Sequence, residues 1–230
     1  MRCIAVVPAR SGSKGLKDKN IRLVNGKPLI HYTLEAAVKS GVFDEVMLST
    51  DSEKYADIAK EVEGVSVPFL RDELNATDVA STWDVVREVL RKYEEEGIRF
   101  DAFCVLQPTS PLRNSIHIKE AYDELVSKNA DSIISVCKLE HSINTCNVLP
   151  EDGSMYGFLK DESKYARQMN PTYYRLNGAI YFARVESFLE EGTIYTKNSF
   201  SYVMDNVASV DIDDEFDLQY AELLLKNFTN

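Results

Sequence analysis

The 230-residue sequence lacks the marks of several large protein classes. Its four cysteines, Cys3, Cys104, Cys137 and Cys146, form no Cys-x-x-Cys pair, and its three histidines, His31, His117 and His141, have no zinc-type spacing to a partner. Both facts argue against a disulfide scaffold and a transition-metal centre. Cys3, Cys104 and Cys137 sit inside apolar runs and read as small core residues in a reduced compartment. No apolar run approaches the ~20 residues needed to cross a bilayer. Basic residues are outnumbered, 26 Lys and Arg against 37 Asp and Glu, for a formal net charge of −11. That balance argues against nucleic acid and anionic membranes as partners. The first residues run straight into strand-like sequence without a signal-peptide pattern, so the cytoplasm is the expected location. Internal repeats and low-complexity linkers are missing too. With 44% hydrophobic and 27% charged residues, the expectation is one folded domain over 1–230 with a small lobe attached.

Against this acidic background one stretch stands out. Ile4 to Ala9 is a continuous apolar run, as in a strand covered on both faces, with Pro8 at its end. The loop Arg10 to Asn20 follows, with Arg10, Lys14, Lys17 and Lys19 against Asp18 alone. A local positive loop on an acidic chain points to a specific anionic ligand. The loop fits neither familiar phosphate signature. Gly12-x-x-Gly15 is not G-x-G-x-x-G, and Lys27 is followed by Pro28 rather than Ser or Thr. The physical logic of a phosphate cradle still holds, because glycines let backbone N–H groups approach phosphate oxygens and the cations neutralise charge.

Beyond the loop, Asn25-Gly26 signals a turn and Pro28 the first turn of a helix over Leu29 to Lys39. Asp44 to Thr50 reads as a strand, and Ser52 caps a helix to about Glu63. Val65 to Leu70 reads as a third, shorter strand. A helix from about Val79 to Glu96 places Trp83, Val86, Val89, Leu90 and Tyr93 on one face. Asp101 to Gln107 is a strand broken by Pro108-Thr109-Ser110-Pro111, Asn114 caps a helix to about Lys128, and Asp131 to Leu139 is a further strand. This alternation predicts an α/β fold with a doubly wound, mostly parallel sheet. The rhythm breaks over 140–175, where Asn147-Val148-Leu149 and Met155 to Phe158 are the candidate short strands. So long an irregular stretch reads as an insertion with its own task, a hairpin lobe or an arm that packs on a second subunit. Regular structure resumes at Asn177 to Phe182, followed by a helix from Val185 to Glu191, runs at Ser199 to Met204 and Val207 to Val210, and a last helix from about Asp214 to Lys226.

Several polar groups could carry chemistry. Asp211-Ile212-Asp213 places two carboxylates two residues apart, on one face of an extended segment. Such a pair can hold magnesium together with substrate phosphates. Asp213 and Asp214 also suit the N-terminus of the helix that follows, and the two roles are compatible. Ser49-Thr50-Asp51, Arg71, Asp78, Ser81, Gln107 and Thr109-Ser110 fall at candidate strand ends, where open α/β sheets bind ligands, although each alone also fits a cap or a turn. Arg167 and Arg175 flank Tyr173-Tyr174 near the end of the irregular stretch. Arginine suits carboxylate binding, and also a surface ion pair.

Taken together, the segments VVPARSGSKGLKDKNIR, NGKPLIHYTLEAA, VMLSTDSEKYADIA, LRDELNATDVAST, VLQPTSPLRN, YRLNGAIYFAR and VDIDDEFDLQYAE resemble the acylneuraminate cytidylyltransferases, the CMP-sialic acid synthetases. The resemblance runs from residue 4 to about 222, in the family's order. It implies a Rossmann-like fold of the nucleotide-diphospho-sugar transferase type and transfer of CMP from CTP to a nine-carbon 2-keto sugar acid, with release of pyrophosphate. It places Arg10, Ser13, Lys14, Lys19 and Asn20 on the triphosphate, and Arg71, Asp78 and Ser81 on the cytidine and ribose. Gln107 and Tyr181 fall on the sugar, Arg167 and Arg175 in a dimerisation arm over 140–175 that reaches a neighbouring site, and Asp211 and Asp213 on Mg2+.

The mechanism so implied is an in-line displacement at the α-phosphorus. Arg10 and Lys19 would stabilise charge on the phosphates, an ion held by Asp211 and Asp213 would supply Lewis-acid charge withdrawal to the phosphate and the attacking oxygen, and no histidine is placed as an obvious base. One departure concerns the acceptor. Family members often carry a lysine a few residues after the position of His141, where this chain has Ser142-Ile143-Asn144-Thr145. This leaves sialic, legionaminic, pseudaminic or deaminated sialic acid, or the eight-carbon lipopolysaccharide acid, as the acid activated. A nucleotide-sugar glycosyltransferase with a D-x-D pair and a non-catalytic sugar-nucleotide binding module are the readings from other classes.

Overall fold

The computed structural model describes residues 1–12, 15–76, 81–141, 143–159 and 171–228. Ser13, Lys14, Asp78 and Arg167 lie outside the described residues. The elements run β1 (Cys3–Pro8), β2 (Leu23–Val24), β3 (Lys27–Pro28), α1 (Leu29–Ser40), β4 (Glu45–Ser49), α2 (Glu53–Lys60) and α3 (Thr82–Glu95). They continue with β5 (Ala102–Val105), α4 (Ser115–Ser127), β6 (Ser132–Lys138), β7 (Tyr174–Arg184), α5 (Val185–Glu191), β8 (Ser199–Met204) and α6 (Glu215–Phe228). The main sheet has six strands in the order β4-β1-β5-β7-β6-β8. Pairing is parallel for β1 with β4, β1 with β5 and β6 with β8. Only β7 runs against its neighbours, inserted between β5 and β6. The mostly parallel α/β sheet is therefore as expected, with one reversed strand near its middle.

Alternation along the strands feeds a core on each face. Ala5, Val7, Val46 and Leu48 pack with Ile30 and Leu34 of α1, Tyr55 and Ala59 of α2, and Ile118 and Leu125 of α4. Ile4, Val6, Met47, Phe103 and Val105 point the other way, onto Val86, Val89, Leu90 and Tyr93 of α3 and Phe188 of α5. Helices on both faces bury all of β5 and all of β1 but Pro8, which is why they read as uninterrupted apolar runs. A third cluster lies beyond the sheet, where Leu16, Val24, Leu29 and Ile212 meet Leu218, Ala221 and Leu225 of α6.

Four expected strands are not formed. Val65 to Leu70 makes a single bridge, Ser66 to Met47, because Pro68 has no N–H to extend a ladder. Val207 to Val210 turns instead: the Asp205 carboxylate accepts from the Ala208 N–H and the Ser209 hydroxyl donates to the Asp205 carbonyl. Such local bonds compete with a sheet. Neither Asn147 to Leu149 nor Met155 to Phe158 is a strand, and the described part of 140–159 contains one short 3-10 turn, Ile143–Thr145.

Candidate active site

The ends of β1 and β4 lie side by side, and the basic loop leaves between them. Ser11 donates both its N–H and its hydroxyl to the Asp51 carboxylate, each at 2.8 Å, fixing the start of the loop to the end of β4. Arg10 donates to the Gly12 carbonyl at 2.9 Å, and the buried Asn20 donates back to the Arg10 carbonyl at 3.2 Å. A second tether follows, from the Tyr55 hydroxyl to Asp18, which sits at a left-handed φ of 53°. Arg71 reaches the same corner. Its Nη2 donates to the Ser49 carbonyl at 2.7 Å and its Nε to the Ser49 hydroxyl at 3.2 Å. Burial lowers the Arg71 guanidinium pKa. Asp51 and Glu88 oppose that shift, and Arg10 adds to it. Arg10, Ser11, Asp51 and Arg71 thus share one corner at the carboxyl ends of parallel strands, where such sheets bind ligands.

Across the loop stands the Asp211–Asp213 segment. Lys19 Nζ donates to the Ile212 carbonyl at 2.7 Å and to Asp213 Oδ1 at 3.1 Å. Leu16 and Ile212 are buried in one cluster, an apolar clip between the loop and the two carboxylates. The approach is close enough that a Cβ on Gly15 would lie 2.9 Å from the Asp213 carbonyl oxygen. Only glycine fits there. The carboxylates differ sharply: the Asp213 side chain is 79% exposed, whereas Asp211 Oδ1 is buried with no hydrogen-bond partner. Burial raises the Asp211 pKa, and so does Asp213. A Thr109 hydrogen bond, Lys19 and Arg175 pull the other way.

The loop after β5 closes the third side. The Thr109 carbonyl accepts from the Ile212 N–H at 2.9 Å, docking this loop on the carboxylate segment. Gln107 faces Gly178 of β7, whose φ is +76°. A Cβ at Gly178 would be 2.3 Å from Gln107 Oε1 and 4.0 Å from Asp211 Oδ2. Tyr181, further along β7, packs edge-on against Trp83, with ring centroids 5.8 Å apart. Burial first, then the Tyr195 and Asp211 charges, push its phenol up to about 12. Among the described residues, the buried side-chain atoms without a partner are Ser110 Oγ, Arg113 Nη1 and Asp211 Oδ1. All three belong to the loop after β5 or to the segment it touches. Orphaned polar atoms are rare in folded chains and collect where function needs them.

Two expected residues stand apart. Ser81 is the N-cap of α3, accepting from the Asp84 N–H and donating to the Asp84 carboxylate. Arg175 is exposed and donates to the Leu176 carbonyl at 3.3 Å, although its charge is felt at Asp211. Leu16, Ile212 and Gly178 were not anticipated as site residues, although all three lie inside the family-like motifs, whereas Asp51 and Thr109 were among the polar strand-end candidates.

Residues 4–228 match the family model described as cytidylyltransferase. The chain belongs to the cytidylyltransferase family. It is 39% identical over 216 residues to an N-acylneuraminate cytidylyltransferase of Streptococcus agalactiae serotype V, covering 93% of this chain and 51% of that protein. The chain thus spans about half the length of that relative. A CMP-N,N'-diacetyllegionaminic acid synthase of Legionella pneumophila is 36% identical over 229 residues, 98% of this chain and 97% of its own. Among solved structures, a CMP:2-keto-3-deoxy-manno-octonic acid synthetase complexed with CTP shares the fold, with a TM-score of 0.74 at 17% identity over 99% of both chains. In this cytidylyltransferase-family chain, hydrogen bonds join the corner at β1 and β4, the carboxylate segment and the loop after β5 into one candidate site.

Proposed function

We propose that the chain transfers CMP from CTP to a nine-carbon 2-keto sugar acid of the sialic, legionaminic or pseudaminic type and releases pyrophosphate. The observation that carries this reading is the junction at Lys19, where the basic loop meets the Ile212 carbonyl and Asp213 and its charge acts on Asp211. Cations for a triphosphate and carboxylates for its metal meet at one point. Two of the three Lys19 N–H donors are engaged. The third is available to a phosphate oxygen, with Arg10 alongside. In this reading Arg71, Asp78 and Ser81 serve the nucleoside, and Ser13, Lys14 and Asn20 serve the triphosphate. Gln107, Tyr181, Arg167 and Arg175 serve the acceptor, whose carboxylate suits an arginine.

The acceptor's anomeric oxygen forms a bond to the α-phosphorus as the bond to pyrophosphate breaks, and the hydroxyl proton it gives up passes to solvent. Arg10 and Lys19 stabilise the charge that moves onto the leaving phosphates, from positions fixed before the substrate arrives. Magnesium fits the carboxylate segment, since Asp211 Oδ1 is a buried acceptor without a donor and Asp213 stands exposed next to it. When bound by these two residues, the ion supplies Lewis-acid charge withdrawal at the phosphate. The 140–175 stretch serves as the dimerisation arm of a homodimer, within a single domain over 1–230. No helix among the described residues is long and apolar enough to cross a membrane, and Cys3, Cys104 and Cys137 are buried free thiols. Both facts accord with work in the cytoplasm.

The test is pyrophosphate release from CTP over a panel of sialic, deaminated sialic, legionaminic, pseudaminic and eight-carbon 2-keto acids, with ATP, GTP and UTP as controls. Magnesium-dependent release with CTP and one nine-carbon acid is expected. CTP binding without turnover on any acid would leave a non-catalytic binding module and overturn the proposal.

A further inference from the structure

We infer that Arg113 is a positioning residue that sets the spacing of the acceptor side of the candidate site. Its side chain is 1% exposed. Its Nε donates to the Ala179 carbonyl of β7 at 3.1 Å, and its Nη2 donates to the Thr33 hydroxyl of α1 at 2.6 Å and to the Gln107 carbonyl at 3.1 Å. Among the described residues its acceptors are two backbone carbonyls and a hydroxyl, with no carboxylate ion pair. Burial lowers the guanidinium pKa to about 10, so it remains charged at neutral pH.

Burying a cation without an opposite charge is costly, and a well-packed apolar side chain would often be more stable. What an apolar side chain cannot supply is the rigid fork of donors. That fork holds three elements at once: α1, the loop after β5, and β7. Two of its acceptors adjoin the site, because Gln107 is itself a lining residue and Ala179 follows Gly178. The Gln107 side chain and Gly178 are in such close contact that a Cβ would not fit between them, so a small slide of β7 against the loop would close or open that contact. The same loop grips the Asp211–Asp213 segment through the Thr109 carbonyl. Arg113 therefore acts as the fulcrum for Gln107, Gly178 and Asp211, while the Arg10 corner hangs on Asp51 and Ser49 instead.

The inference rests on the CMP-transfer reading, and its test separates the two. Arg113→Lys keeps the charge but cannot span three acceptors, and Thr33→Val removes one acceptor with little change in shape. Both should raise KM for the acid or lower kcat by about 10-fold, within what a sub-ångström misplacement costs, and leave KM for CTP within about 2-fold. Hydrogen–deuterium exchange should quicken in peptides covering 104–113 and 177–183 and stay unchanged over α2. Equal shifts in both KM values, or wild-type kinetics with only a lower melting temperature, would overturn the role. If the wild type releases no pyrophosphate with any acid, the CMP-transfer reading fails, and the exchange pattern alone decides for or against Arg113.

Discussion

Lys19 reaches across 193 residues of sequence to the Ile212 carbonyl, and that reach separates its two effects. As a surface-edge ion pair with the exposed Asp213 it contributes little to stability. As a fixed cation at the leaving phosphates of the proposed reaction, it would carry much of the rate. Lys19→Met should therefore lower kcat by about 10²-fold, the scale of losing one preorganised donor, with a melting temperature close to wild type. Steady-state kinetics and a thermal melt check both halves. Asp211 makes the opposite trade. Its carboxylate holds a buried oxygen without a donor, an arrangement that costs stability. Asp211→Asn keeps the shape and removes the charge, so turnover should be lost while the melting temperature without magnesium is held or raised. Magnesium should then raise the melting temperature of the wild type only. A variant that melts well below wild type would show that Asp211 serves the fold instead.

At the scale of elements, α3 holds the Asp72 to Asn75 segment through a buried carboxylate. Glu88 is 5% exposed, yet it accepts from the Asp72 N–H at 2.9 Å and the Asn75 amide at 2.6 Å and pairs with Lys92 at 2.8 Å. Burial alone would raise its pKa. Lys92, Asn75 and the Asp72 N–H outweigh that, and the net shift is downward. A carboxylate lowered in the folded state stabilises it above the unfolded pKa, and that contribution is lost as pH falls through the folded value. Glu88→Gln should cost about 2 kcal/mol at neutral pH, a fall in melting temperature of roughly 4–8 °C for a chain of this length. The gap should close as pH drops below the ordinary glutamate range. Denaturant melts at a series of pH values test the sign.

Which elements were legible follows the same physics. β1, β5 and β6 read directly from apolar runs, α3 from its apolar face, α4 from its cap Asn114, and the turn between β2 and β3 from Asn25-Gly26, both at positive φ, although the two short strands beside that turn were not foreseen and α3 starts at Thr82 rather than Val79. The reversal of β7 did not, because strand direction is set by pairing partners rather than by composition. Its bulged register against β6 was equally silent, since it depends on a buried Ser135–Asn177 hydrogen bond of 2.6 Å. In the candidate site, the charged residues were legible as types. The apolar clip of Leu16 on Ile212 was not, since nothing local distinguishes a leucine that closes a site from one that fills a core.

For the whole molecule, the distribution of exposed apolar side chains is uneven. Within 143–159, Val148 is 87% exposed, Met155 62% and Tyr156 99%, with Ile143 and Leu149 also exposed. Tyr174 and Leu176 continue the exposed series at the start of β7. Single exposed apolar residues are ordinary, but a run of them on one segment marks an interaction surface. A homodimer would cover this run and bring the arm, with Arg167 and Arg175, towards a neighbouring site. That arrangement would link assembly to acceptor binding. The chain should sediment as a dimer at micromolar concentration. Val148→Asp combined with Tyr156→Asp should shift it to monomer, raise KM for the acid by about 10-fold or more, on the scale of misplacing a binding group, and leave CTP binding near wild type. Both substituted residues are solvent-facing in the single chain, so its melting temperature should stay near that of the wild type at a dilution where the wild type has dissociated. A wild-type chain that sediments as a monomer at all concentrations, with full turnover, would remove the arm from both assembly and catalysis.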